Sequence, residues 1–299
     1  MNQFLTIEIG ILALYISCIF YIIKKDKKMI LFFLASTLYA IFFENMNILL
    51  SQGFEGGYYY NKNFSIFIFH LPLFVSLAWS IIIYTSIKIA QSLKISENSL
   101  PFAASLIVLL IDLAIDVIAI RLEYWTWIGY SLKDGYFGVP ASNFIGWLFI
   151  SFSWFYIDQK LKIKKNWLKY SIMPIIAYIF YFLLFIPITL VQNIFYFNKT
   201  QQFFVLIFLI FLFLSLIKKD EVKHRTDNII YIFRLPFYIF GFYFLLSGKI
   251  YQENILLLLF SIIFLTLEIA LFLGEKGVFE RKNNKNNIKI FKTNRIFKK

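Results

Sequence analysis

Apolar runs long enough to cross about 30 Å of hydrocarbon recur nine times along the chain, at residues 4–23, 29–51, 65–87, 101–120, 137–157, 170–191, 202–217, 229–247 and 254–273. Short polar or basic stretches separate them, so the pattern predicts an all-α polytopic membrane bundle of about nine spans within residues 1–280. The seventh run is the shortest. The first lacks a basic leader and a small-residue cleavage site, and reads as a retained span. From Arg281 the pattern breaks into RKNNKNNIKIFKTNRIFKK. A stretch so polar and basic reads as a disordered arm attracted to anionic lipid.

Basic residues punctuate the runs unevenly. Twenty-four of the 30 fall in one alternating set of connections and in the tail, among them Lys24, Lys25, Lys27, Lys28 and Lys160 to Lys169. The other set holds Lys62, Arg121, Lys133, Lys199 and Lys249, and Arg234 lies inside the eighth run. The positive-inside rule then predicts a cytoplasmic carboxyl terminus and an amino terminus outside. The same distribution accounts for the net charge of +13 without nucleic acid.

Polar groups that interrupt the runs carry the candidate chemistry. Glu44, Asn45 and Asn47 lie in the outer part of the second span, and His70 falls a few residues into the predicted third. Asp112 and Asp116 stand four apart in the fourth, on one helical face. Arg121 and Glu123 follow at its rim, and Asn143 enters the fifth span from the same side. Ionisable groups in hydrocarbon cost at least about 2.5–3.5 kcal/mol each on insertion scales, so they face a bundle interior or a cavity. These residues converge on the outer half of the bundle. They form either a site or a set of interhelical contacts such as Asp116 with Arg121 or His70. Glu8 and Glu268, each alone in its span, read as packing or rim residues. A carboxyl in an apolar site tends to stay protonated, which makes it a proton donor.

The loop SQGFEGGYYYN, Ser51 to Asn61, predicts a compact turn over the bundle mouth, a lid in which Glu55 is solvated. Tyr124, Trp125 and Trp127 fit an interfacial aromatic belt and equally a site wall.

Composition agrees. The chain is 60% hydrophobic with mean hydropathy +0.71, against about half apolar in soluble domains. The 21% aromatic share suits a long planar apolar ligand, and also a coding bias toward Phe, Tyr, Ile, Lys and Asn. A single cysteine, Cys18, excludes an internal disulfide. His70 and His224 fall on opposite sides of the predicted membrane, so no metal site or cofactor is expected. Hydrolase and nucleotide motifs are missing. Asp112 and Asp116 alone evoke the Mg²⁺-binding diphosphate motif of membrane prenyltransferases, but its second Asp-rich partner is lacking.

Three segments carry a family resemblance: FFENMNILLSQGFEGGYYYN (Phe42 to Asn61), LPLFVSLAW (Leu71 to Trp79) and DLAIDVIAIRLEYWTWIGYSLKDGYFGVPASNFIGW (Asp112 to Trp147). They resemble the membrane carotenoid 1',2'-hydratases, including the archaeal bisanhydrobacterioruberin hydratases. The shared elements are a Glu-bearing helix with a Gly- and Tyr-rich turn, and a D-x-x-x-D, W-x-W, Y-x-GVP-x-x-NF-x-GW block. Val117, Ser76 and Gln52 stand where the family often has Pro, Pro and Thr. The resemblance implies a carotenoid-biosynthesis enzyme of the prokaryotic plasma membrane, acting on a long apolar isoprenoid among membrane lipid. It would add water to the terminal C1',C2' double bond of an acyclic end group. Asp116 or Glu44 would be the general acid, with Asp112 and Asn143 positioning water or the partner carboxyl. Trp125, Trp127, Tyr136 and Phe137 would flank the tertiary cation, and Asn45 and His70 would line the substrate site. A lycopene-cyclase-like enzyme would use the same acid step. A proton-coupled transporter or lipid-binding protein would show paired broken helices or repeat symmetry, and no such repeat is evident.

Overall fold

A computed structural model describes residues 3–220 and 226–273. The expected basic arm from Arg281 to Lys299, and His224, lie outside the described residues. Among the described residues nine helices follow one another: α1 Gln3–Lys25, α2 Ile30–Ser51, α3 Leu73–Ser92, α4 Leu100–Ala119, α5 Ala141–Lys160, α6 Asn166–Ile194, α7 Lys199–Ser215, α8 Asn228–Ser247 and α9 Ile255–Leu273. Seven are long and apolar enough to cross a membrane. Of the other two, α7 is 17 residues long, and α5 is diluted by Asn143 and by Ser142, Ser151 and Ser153 along its length. The chain is thus an all-α polytopic membrane protein, as its apolar pattern predicts.

Helices α2 to α6 form a ring in which each packs on the next and α6 returns to α2. α3 is buried along most of its length. α1 leans on α3, α8 on α3 and α4, and α7 on α4 and α5. The alternating connections gather at two ends. At the Lys-rich end Lys88 pairs with Asp26 at 3.1 Å, Thr226 donates to the Lys88 carbonyl, and the backbone of Ser96 donates to Lys218. At the other end Arg121 forks onto Glu253. There too Lys199 reaches Glu55 at 3.1 Å, Asp134 at 3.2 Å and the Gly129 carbonyl at 3.0 Å.

Two spans start later than hydropathy predicts. Residues 65–72 are apolar but do not continue α3 outward. They fold into a hairpin of β2 Phe67–Ile68 and β3 Leu71–Pro72, and Pro72 caps the helix. Residues 137–140 likewise precede α5, because Phe137 and Gly138 take left-handed backbone angles of 51° and 96°. A Cβ on Gly138 would sit 2.7 Å from Ile120 Cδ1 and 3.0 Å from Leu132 Cα, so glycine lets this turn close against the end of α4. Two further strands, β1 Tyr58–Tyr60 and β4 Trp125–Trp127, pair antiparallel across the same end.

Candidate functional site

Asp112 and Asp116 project from one face of α4, both about 95% buried. Their carboxyl groups stand close enough on that face for a single side-chain amide to reach both. Asn143, in the first turn of α5, is brought to them because the helix begins directly after Pro140. Its Nδ2 donates to Asp116 Oδ2 at 2.7 Å and to Asp112 Oδ2 at 3.3 Å. The 131–140 turn therefore sets where the amide of Asn143 meets the pair.

Glu44, near the end of α2, is equally buried. The Tyr58 hydroxyl donates to its Oε2, and the Tyr60 hydroxyl donates to the same oxygen at 3.1 Å. Asn47 Nδ2 donates to the Tyr58 oxygen at 3.3 Å, which leaves the single tyrosine proton for Glu44. Strand alternation puts Tyr58 and Tyr60 inward and Tyr59 outward. Burial, and next to it the Glu44 carboxyl, hold both phenols well above the usual tyrosine range, so they remain donors. Opposite them in register stand Trp127 and Trp125, with ring centroids 4.9 Å and 5.9 Å away. The Ser51–Asn61 loop is thus a cap stitched to the segment after α4. Gly57 is required in it, since a Cβ there would fall 2.2 Å from the Ser51 carbonyl oxygen.

Both carboxyl groupings open on one cavity of about 680 Å³. Its floor and sides are Trp79 and Trp147, 4.3 Å apart between centroids, with Phe74, Val75, Ile82 and Val108. Along α1 the lining runs from Gln3 to Ser17, roughly 21 Å at 1.5 Å per residue. There Thr6, Gly10, Ala13 and Ser17 form a small-residue stripe exposed on the outside of the bundle. Across from it Ile239 and Tyr243 of α8 also line the cavity while exposed. The cavity consequently opens sideways between α1 and α8. These helices meet below it, where Tyr21 donates to Asp227 at 2.8 Å and packs on Phe233.

Of the residues singled out from sequence, Glu44, Asp112, Asp116, Asn143, Trp125 and Trp127 share this cavity. Four do not. His70 is exposed in the hairpin before α3, and its backbone N–H donates to Asn45 Oδ1. Asn45 is occupied with that contact and with the Ile41 carbonyl, and so holds the hairpin to α2. Tyr136 packs with Phe137, Phe144, Phe203 and Phe260 away from the cavity lining. The Phe137 carbonyl accepts from Arg121. For Tyr58 and Tyr60 the sequence carries a signal of its own, since three tyrosines after two glycines alternate as a strand. Nothing in sequence marks Trp79, α1 or α8 as walls, because aromatic and small residues also face lipid.

Among the described residues the carboxyls pair with no cation. Arg121 is spent on Glu253, Val117 and Phe137, and His70 lies elsewhere. A second buried charge group sits toward the Lys-rich end. Arg234 of α8 is fully buried and forks onto Glu268 of α9 at 2.5 and 2.9 Å. It also donates to Ser86 and to the Ile107 carbonyl, while Tyr238 donates to Glu268. Glu268 is therefore one half of an ion pair rather than an isolated packing residue. Glu8 accepts the backbone N–H groups of Ser65 and Ile66 and anchors the hairpin.

A family model described as carotenoid biosynthesis protein matches residues 3–214, which carry the whole carboxyl cluster and its cap. No curated protein and no solved structure matches the chain.

Proposed function

The chain belongs to the carotenoid biosynthesis protein family, and from that premise we propose that it hydrates the terminal C1',C2' double bond of an acyclic carotenoid end group. The observation that carries this reading is the cavity itself: three buried carboxyls, no cation facing them among the described residues, neutral donors around each of them, and mainly apolar and aromatic walls. Such a site favours chemistry in which a carboxylic acid protonates carbon and a cation lives briefly against aromatic faces.

The polyene enters from the bilayer through the opening between α1 and α8, its end group advancing toward Asp112, Asp116 and Glu44. The small stripe Thr6, Gly10, Ala13 and Ser17 leaves room for a flat chain against α1. A proton passes from carboxyl to C2, and C1 becomes a tertiary cation. Trp79, Trp147, Trp125 and Trp127 face that cation, in place of Tyr136 and Phe137. Water held among the carboxyls and Asn143 closes the C1–O bond. The cap, Tyr58 to Tyr60 paired with Trp125 to Trp127, excludes bulk water that would trap the cation at random. In the membrane the cap end faces outward and the Lys-rich end faces the cytoplasm.

Expression in a bacterium that accumulates an acyclic carotene tests this directly. The expected product is heavier by one water per reacting end. A product of unchanged mass but altered chromatographic retention would mean cyclisation instead. An unchanged pigment pool, with the protein confirmed in the membrane, would refute the assignment.

A further inference from the structure

Resting on the hydratase reading, we propose that the two carboxyl groupings divide the reaction: the Asp112–Asp116 pair supplies the proton, and Glu44 takes the proton of the attacking water, held for that task by the positioning residues Tyr58 and Tyr60. The basis is the difference in hydrogen bonding. At the pair, two carboxyls meet on one helix face with a single amide donor, Asn143, spread over both. Two negative charges so close repel, and a proton shared between them removes the conflict. The pair is built to hold a proton and to give it up.

Glu44 is built the other way. Two hydroxyl donors converge on one of its oxygens, and Asn47 fixes the direction of the Tyr58 hydrogen bond. That surrounding stabilises an acceptor and leaves Oε1 free of any hydrogen bond from the cap. The tyrosines cannot take over as bases, because both stay protonated.

The balance closes. The C1–C2 π pair takes the proton of the aspartate pair, forming a C2–H bond and a cation at C1. A water oxygen donates a lone pair to C1 and its proton passes to Glu44, leaving a neutral tertiary alcohol. One proton has then moved from the aspartates to Glu44. Exchange with solvent returns the protein to its starting state.

The division is read by turnover of an acyclic carotene in D₂O with membranes holding the full chain. Wild type yields alcohol carrying one deuterium at C2. Glu44→Gln is expected to lose alcohol formation about 100-fold or more, while recovered carotene still gains deuterium at C2, because the cation forms and collapses back. Asp116→Asn loses exchange and hydration together. Tyr58→Phe and Tyr60→Phe lower kcat with KM unchanged and raise the ratio of exchange to hydration. Loss of exchange along with hydration in Glu44→Gln, or exchange persisting in Asp116→Asn, overturns the division. Tyrosine variants that leave the ratio unmoved overturn their positioning role. A wild type that gives neither alcohol nor exchange fells the hydratase reading itself.

Discussion

Two groups of buried charge lie in this bundle, and they are opposite in design. Around Arg234 every polar atom has a partner of matching sign or dipole: Glu268 bidentate, Ser86, the Ile107 carbonyl, and Tyr238 from the other side. It borders no part of the large cavity. Around Glu44, Asp112 and Asp116 three acids share one space with hydroxyl and amide partners, beside about 680 Å³ of apolar cavity. The first arrangement ties α8 and α9 to α3 and α4. The second keeps reactive groups in hydrocarbon with their charge unresolved, which is useful only if something else enters to resolve it. Burial alone does not separate structural from chemical charge; completeness of pairing does.

The contrast is broken most violently at Arg234. Arg234→Met strands Glu268 and is expected to cost about 3–5 kcal/mol of stability, seen as a large fall of Tm in detergent. The double variant Arg234→Met with Glu268→Leu should recover most of it, since a buried pair replaced by apolar groups is often neutral. At the other group the signs reverse. Asp116→Asn should reduce hydration about 100-fold or more while leaving Tm unchanged or raised; a Tm loss like that of Arg234→Met would make the aspartates structural after all. Gly10→Leu sharpens the cavity side of the comparison. A Cβ at Gly10 meets nothing within 4 Å, so folding is unaffected, yet the branched side chain narrows the lateral opening. A KM about tenfold higher, or ~1.4 kcal/mol of lost binding, is expected for a long carotene.

Lys199 offers a milder test. It clamps Glu55 and Asp134 beside the cap, where backbone and hydroxyl hydrogen bonds from Ser131 already hold Asp134 below the usual carboxylate range. Exposed pairs of this kind contribute little, because water and salt screen them. Lys199→Met should therefore lower turnover slightly and abolish whatever part of it depends on salt. His70→Ala, in the exposed hairpin, should leave turnover unchanged; a tenfold loss would place the imidazole back in the reaction.

Much of this was legible in the chain because charge in an apolar run is conspicuous. Glu44, Asp112, Asp116 and Asn143 stood out as interruptions, and the helix period put the two aspartates on one face. The alternation of basic connections matched the two ends of the bundle. Hydropathy misled where an apolar stretch is not helix. The apolar residues 65–72 extend the predicted third span outward and so carry His70 toward a cavity that it does not line, while Tyr136 and Phe137, named by the family resemblance, also lie outside its lining. Tyr58 and Tyr60 declare themselves only if a three-residue strand is read inside a loop. The α1 and α8 walls were invisible, because a side chain facing a lipid and one facing a lipid-like substrate are chosen by the same physics.

Helix α5 carries a consequence of another kind. Asn143 and the serines that make it fit the ring also leave it below the apolarity of the seven helices able to cross hydrocarbon unaided. During biogenesis its entry into the bilayer is eased by α4, whose Asp112 and Asp116 take up the Asn143 amide, while Ser151 turns back on carbonyls of α5 itself. The amide that serves the aspartates thereby makes insertion of its own helix cooperative, so a chain that fails to assemble this corner also fails to place it in the membrane.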